Sequence, residues 1–209
     1  MWQFVVSPRS AYRHTAYHKQ TKNQWSRDDP AFIVICCGLQ AFSVALWCLI
    51  FTKSILEALY LVVTSVLVDF VGVGSILATL GWWVSSTYLR RKTHAHAVDQ
   101  AVEWLYCFDV HCNSWLPAIL LLNLVQFLLC PVLLSDGFFP VLLSLILHVT
   151  AATYYLWLTF LGYSTLPFLE RPRSILWYPI LAISGLAVLV ILLHVNLTKW
   201  TVKWFFKDF

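Results

Sequence analysis

From Ala31 to Thr52 no charged side chain interrupts the sequence, and only Gln40, Ser43 and the terminal Thr52 break its apolar run. At about 1.5 Å per residue such a stretch crosses the ~30 Å of hydrocarbon in a bilayer as a helix, the structure that satisfies its own backbone there. Further apolar stretches follow at 58–83, 115–134, 138–161 and 175–195. The expected fold is therefore all-α: a polytopic membrane protein with five transmembrane helices. Composition excludes the soluble alternative, because 11% charged residues fall far short of the about 25% that covers a soluble domain. The 11 tryptophans and 9 tyrosines suit headgroup depth, where amphipathic rings concentrate.

Residues 1–30 show no apolar run or small-residue cleavage site, so the first transmembrane helix is expected to act as its own targeting signal. The 6 cysteines lie mostly in apolar stretches without disulfide or zinc-ligand spacing and are expected to be reduced and buried. Residues 1–30 read as a cytosolic, amphipathic arm. Ser7 and Pro8 form a helix start, and Asp29 with Pro30 starts the first membrane helix. Arg9, Tyr12, Arg13, Lys19, Lys22 and Arg27 are the candidate residues for binding a membrane surface or a partner. The alternative is a solvated helix whose charges only set orientation.

Cations cluster in that arm, in the polar 85–114 segment (Arg90, Arg91, Lys92) and in the 162–173 loop (Arg171, Arg173). Lys53 and the tail lysines Lys199, Lys203 and Lys207 fall on the other side. Positive charge stays cytosolic, so the arm and both longer connections are expected in the cytosol, with the 196–209 tail luminal or interfacial. The tail lysines make the fifth crossing the weakest. Within 85–114, Val98, Val102, Leu105 and Phe108 suggest a short amphipathic helix. Asn196-Leu197-Thr198 matches a glycosylation acceptor, but its place against the membrane argues against use.

Asp69 stands in the middle of the second apolar stretch. A carboxylate there costs roughly 2.5–3.5 kcal/mol and needs other helices, water or a partner. Two readings stay open, a proton or cation relay or recognition point, and a hydrogen-bonded packing pin. Asn123, Gln126 and His148 are the candidate partners of this intramembrane polar site. Gly74, Ala78, Gly81 and Ser85 form a small-residue stripe opposite Asp69, which lets another helix approach closely. Before the third stretch, Asp109, His111 and Asn113 form a cytosolic polar cluster with Cys107 and Cys112 nearby. A zinc reading is weighed against helix capping by Asp109, Asn113 and Ser114, and capping is preferred, so no metal is expected. His14 and His18, four apart, read as interfacial rather than ligating, and His94 and His96 add no ligand spacing. No phosphate loop, zincin motif or nucleophile elbow is present, so neither catalytic residues nor a cofactor are expected and the chain reads as a non-enzyme.

Several blocks carry a resemblance. Ser7-Pro8-Arg9 leading to Tyr12-Arg13, the run Lys19 to Phe32, Val68-Asp69-Phe70-Val71-Gly72-Val73-Gly74, Val102-Glu103-Trp104 with Phe108-Asp109-Val110-His111, and Thr159 to Phe168 resemble the signatures of the Unc-fifty (uncoordinated-type) family of Golgi membrane proteins. The blocks stand in the family's order along nearly the whole chain. The resemblance implies a five-pass protein of the Golgi apparatus, with the endoplasmic reticulum or inner nuclear membrane as further locations, that supports vesicular trafficking and surface delivery of receptor cargo. It also implies an Arf guanine-nucleotide exchange factor as partner, beside membrane lipids. Some members are described as RNA-binding, but only the basic arm points that way here, and no nucleic-acid partner is expected. The sequence departs from the family pattern at Trp2-Gln3, where relatives carry a longer amino-terminal extension, which puts any partner site in that extension in doubt. The leading expectation is a non-enzymatic trafficking adaptor. The alternatives are a small transporter or lipid-handling protein built on Asp69 and, more remotely, an intramembrane metal enzyme.

Overall fold

A computed structural model describes residues 6–10, 12, 19, 23–91, 100–170 and 172–206. Arg13, Lys22, His14, His18, His94, His96, Val98 and Lys207 lie outside the described residues, as does most of the expected arm helix.

Five helices are long and apolar enough to cross a membrane: α1 (Ala31–Phe51), α2 (Ile55–Leu89), α3 (Trp104–Leu128), α4 (Phe138–Ser164) and α5 (Ser174–Leu192). A shorter helix, α6 (Leu197–Phe205), closes the described chain. Among the described residues there is no strand, only an isolated bridge between Arg90 and Leu169.

Local chemistry sets the ends. Asp29 Oδ1 accepts the Ala31 N–H at 2.8 Å, satisfying one of the donors that a helix start leaves free, while Pro30 has none to offer. Thr52 turns extended after α1, and its hydroxyl donates to the Cys48 carbonyl at 2.6 Å. α3 stops at Leu128, just before Pro131, whose ring removes a backbone donor. Gly137, with φ 124°, makes the turn into α4 in a region that favours glycine.

Three boundaries depart from the sequence reading, the first being that α3 ends at Leu128 and not near 134. α2 runs through Tyr88 to Leu89 instead of ending near 83. α3 begins at Trp104, not near Trp115, so residues 104–114 belong to a membrane-length helix and form neither a separate amphipathic helix nor a polar loop. Polar side chains hid this helix because a window average counts them as loop. In the fold they are buried and paired: Ser114 donates to the Val110 carbonyl at 2.8 Å and meets the Thr159 hydroxyl at 3.1 Å.

α3 is the hub, buried along most of its length and packed on α1, α2 and α4, whereas Leu176 is the one buried residue of α5. The small-residue stripe of α2 makes the α2–α3–α4 contact. A β-carbon at Gly74 would strike the His111 ring, and one at Gly81 the Tyr163 hydroxyl, while Ala78 and Ser85 are buried. The second half of α2 therefore lies against α3, and its first half packs along α1. Below the stripe α2 and α3 part. Each carries a stretch of wider π-helical turns there, Ser65–Gly72 in α2 and Leu120–Val125 in α3.

Candidate functional site

At one end of the bundle, three separated pieces of chain are tied into one surface. The Glu103 carboxylate accepts the Trp25 and Ser26 backbone N–H groups at 3.0 Å. Asp109 Oδ2 accepts the Arg27 N–H at 2.7 Å, and the Arg27 guanidinium donates to Asn113 Oδ1. Trp25 sits edge-on to Tyr106 and against Phe168, each at 6.2 Å between centroids. Tyr106 donates to the Gly162 carbonyl at 2.6 Å. Beside these, the Arg91 N–H reaches the Phe168 carbonyl at 2.9 Å, and Glu170 N–H the Leu89 carbonyl at 2.6 Å. Arg91 and Glu170 pair on the exposed rim at 3.1 Å.

The basic residues of the arm are thus partly spent inside the protein. Arg27 lies 4.2 Å from the Phe32 centroid, Lys19 lies 5.6 Å from that of Trp25, and Arg9 covers Trp157 at 5.8 Å. Tyr12 is buried, and that burial pushes its phenol well above the ordinary tyrosine range against the opposing influence of Asn113 and Ser114. Cys107, Asp109, His111 and Cys112 do not converge. Asp109 serves the arm, and His111 Nδ1 meets the Tyr155 hydroxyl at 2.9 Å while its ring faces Gly74. Among the described residues no group of His, Cys, Asp or Glu is arranged to hold a metal ion.

A second site lies where α2 and α3 part, a half-open cavity of about 400 Å³ lined in part by Asp69, Asn123, Gln126 and His148. Asn123 Nδ2 donates to Ser43 Oγ at 3.0 Å and more weakly to Gln40 Oε1 at 3.4 Å. The Trp47 indole donates to the Asn123 carbonyl at 3.0 Å. Gln126 Nε2 donates to Thr198 Oγ1 at 2.9 Å, and Thr198 meets Ser144 through its hydroxyl at 2.9 Å and its N–H at 2.8 Å. His148 Nδ1 lies 2.8 Å from the Ser144 carbonyl, which only accepts, so Nδ1 carries the proton. The Asp69 carboxylate has no hydrogen-bond or ion-pair partner among the described residues.

The UNC-50 family profile matches residues 1–206. An unc-50 homolog of Dictyostelium discoideum is 43% identical over 207 residues, covering 99% of this chain and 79% of that protein. The Xenopus laevis homolog A is 39% identical over 203 residues (95% and 77%), and the Homo sapiens homolog 39% over 193 residues (90% and 73%). This chain belongs to the UNC-50 family. No solved structure matches it.

For this UNC-50 member, the structure brings together all four residues of the expected intramembrane polar site, yet none of the other three pairs with Asp69. The packing-pin reading of Asp69 therefore has no partner to rest on among the described residues. Sequence reasoning missed Gln40, Ser43, Ser144 and Thr198, which complete the polar lining and its supports. The signal was available, since each is an uncharged polar residue inside or next to an apolar run. It also missed Glu103 as the anchor of the arm, because with 85–114 taken as a polar segment nothing in the sequence marks this carboxylate as the one facing the 25–27 backbone.

Proposed function

We propose that this protein is a non-enzymatic adaptor of the Golgi and endoplasmic reticulum membranes. It supports vesicular trafficking and receptor delivery by holding a soluble partner, an Arf guanine-nucleotide exchange factor, at its cytosolic surface. The observation that carries this reading is the end-face itself. The α2 end at 89–91 and the 168–170 connection are joined by backbone hydrogen bonds, and the 25–27 segment is held beside them by its N–H groups on the Glu103 and Asp109 carboxylates of α3, with Trp25 against Phe168. A surface assembled from three pieces of chain at one bundle end is pre-organised for docking, and pre-organisation lowers the entropy lost on binding.

The test must spare the cations that hold the fold. Lys19 and Arg27 are engaged inside, so alanine there unsettles the arm itself. Arg91 and Arg173 are exposed on the same end. Arg91→Glu with Arg173→Glu in the full chain is expected to weaken capture of an Arf exchange factor about tenfold, with wild-type capture falling as salt rises. Undiminished, salt-independent capture by the double variant contradicts the reading.

A further inference from the structure

The cavity between α2 and α3 has a chemistry that the end-face does not explain. Its walls are mostly apolar (Val44, Trp47, Leu122 and Phe205 among them), and Asp69 is its one charged lining residue among the described residues. Its volume of about 400 Å³ falls within the ~300–1,000 Å³ of small-molecule sites. That space suits one hydrocarbon chain and is too small for a two-chain phospholipid.

Most of the amide and imidazole donors are spent inside the protein, while the indole N–H of Trp115, which also lines the cavity, is left without a partner among the described residues. Asn123 and Gln126 direct amide N–H groups to Ser43 and Thr198, inside the protein. His148 spends Nδ1–H on the Ser144 carbonyl, which leaves Nε2 as an acceptor. The Asp69 carboxylate accepts and has no donor opposite it. Asp69 is half-buried, an unopposed carboxylate is costly within hydrocarbon, and a cation bound there offsets the cost. The π-helical turns that carry Asp69 and Asn123 add weight, since such turns are rare and recur at functional sites.

We propose that this cavity binds a single-chain lipid bearing a protonated amine, of the long-chain amino-alcohol class. The ammonium sits on Asp69, its remaining donors reach His148 Nε2, and the chain lies along Val44, Trp47 and Leu122. The site is separate from the end-face, so its failure leaves the adaptor reading standing, and the reverse holds too.

The test uses the full chain in phosphatidylcholine nanodiscs with a photoactivatable, clickable sphingosine and the matching fatty alcohol and fatty acid. Wild-type protein is expected to capture the amine, with label mapping to the 61–73 or 115–126 stretches, and to capture the alcohol and acid at least about tenfold less. Asp69→Asn is expected to lose the amine preference and Asp69→Glu to keep it. Leu122→Trp, which fills the apolar end, is expected to lose capture with the carboxylate intact. Equal capture of amine and alcohol by the wild type overturns the proposal. So does a preference that survives Asp69→Asn, or label that maps to the exposed face of α5. Should Asp69→Asn not fold, the wild-type comparison of the three probes decides alone.

Discussion

Asp109 and Asn113, one turn apart on α3, take the backbone and the guanidinium of Arg27. Removing either leaves a part-buried donor without its acceptor, a loss of about 1–3 kcal/mol. Asp109→Ala is accordingly expected to lower the thermal midpoint of the detergent-solubilised protein and to open the 25–27 backbone to hydrogen exchange. Gly81 sets a sharper test, because a β-carbon there strikes the Tyr163 hydroxyl first, with the ring carbon that bears it next at 3.1 Å. Gly81→Ala is expected to cost about 1–3 kcal/mol by overpacking. Tyr163→Phe, which removes the obstructing atom, is expected to recover most of that loss in a double-mutant cycle. A pair of strictly additive losses contradicts the contact. The small-residue stripe was legible from spacing alone, as was its separation from Asp69. The direction in which Arg27 points was not, because a cation in a basic arm carries no sequence mark that distinguishes an outward charge from one bonded eighty or so residues away.

The helices show the same division between pattern and pairing. α1, α4 and α5 begin and end close to their apolar runs, since nothing competes with hydropathy there. α3 outran its reading because its first turns bury Asp109, His111 and Asn113 against partners contributed by other elements, which no local window contains. α6 was read only as a tail, yet it plugs the bundle end. Asn196 caps it by accepting the Lys199 N–H at 3.0 Å and donates to the Leu133 carbonyl at 2.7 Å, and Thr198 is fully buried between Gln126 and Ser144. Lys199 also reaches back to Asp136 and holds that carboxylate below its usual range. Thr198→Val keeps the shape and removes the hydroxyl, so a loss of about 1–3 kcal/mol is expected, read as a lower midpoint. Because Asn196 and Thr198 are both committed to packing, peptide-N-glycosidase treatment is expected to leave the mobility of the wild-type chain unchanged. A shift abolished by Asn196→Gln contradicts the docking of α6.

At the scale of the whole molecule, the structure sorts its connections to two ends. The 23–30 segment, the close of α2, the start of α3 and residues 165–170 and 172–173 share one end, while the turns at 52–54 and 129–137 and helix α6 share the other. Arg9, Lys19, Arg27, Arg90, Arg91 and Arg173 fall with the first end, which by its excess of positive charge is the end proposed to face the cytosol. That assignment underlies the adaptor reading, because a docking surface must face its soluble partner. Impermeant maleimide labelling of sealed, right-side-out Golgi vesicles tests it most directly, with single cysteines at Glu170→Cys on the first end and Asp136→Cys on the second. The expected result is labelling of Glu170→Cys in intact vesicles and of Asp136→Cys only after permeabilisation. The reverse pattern, or labelling of both in sealed vesicles, contradicts it.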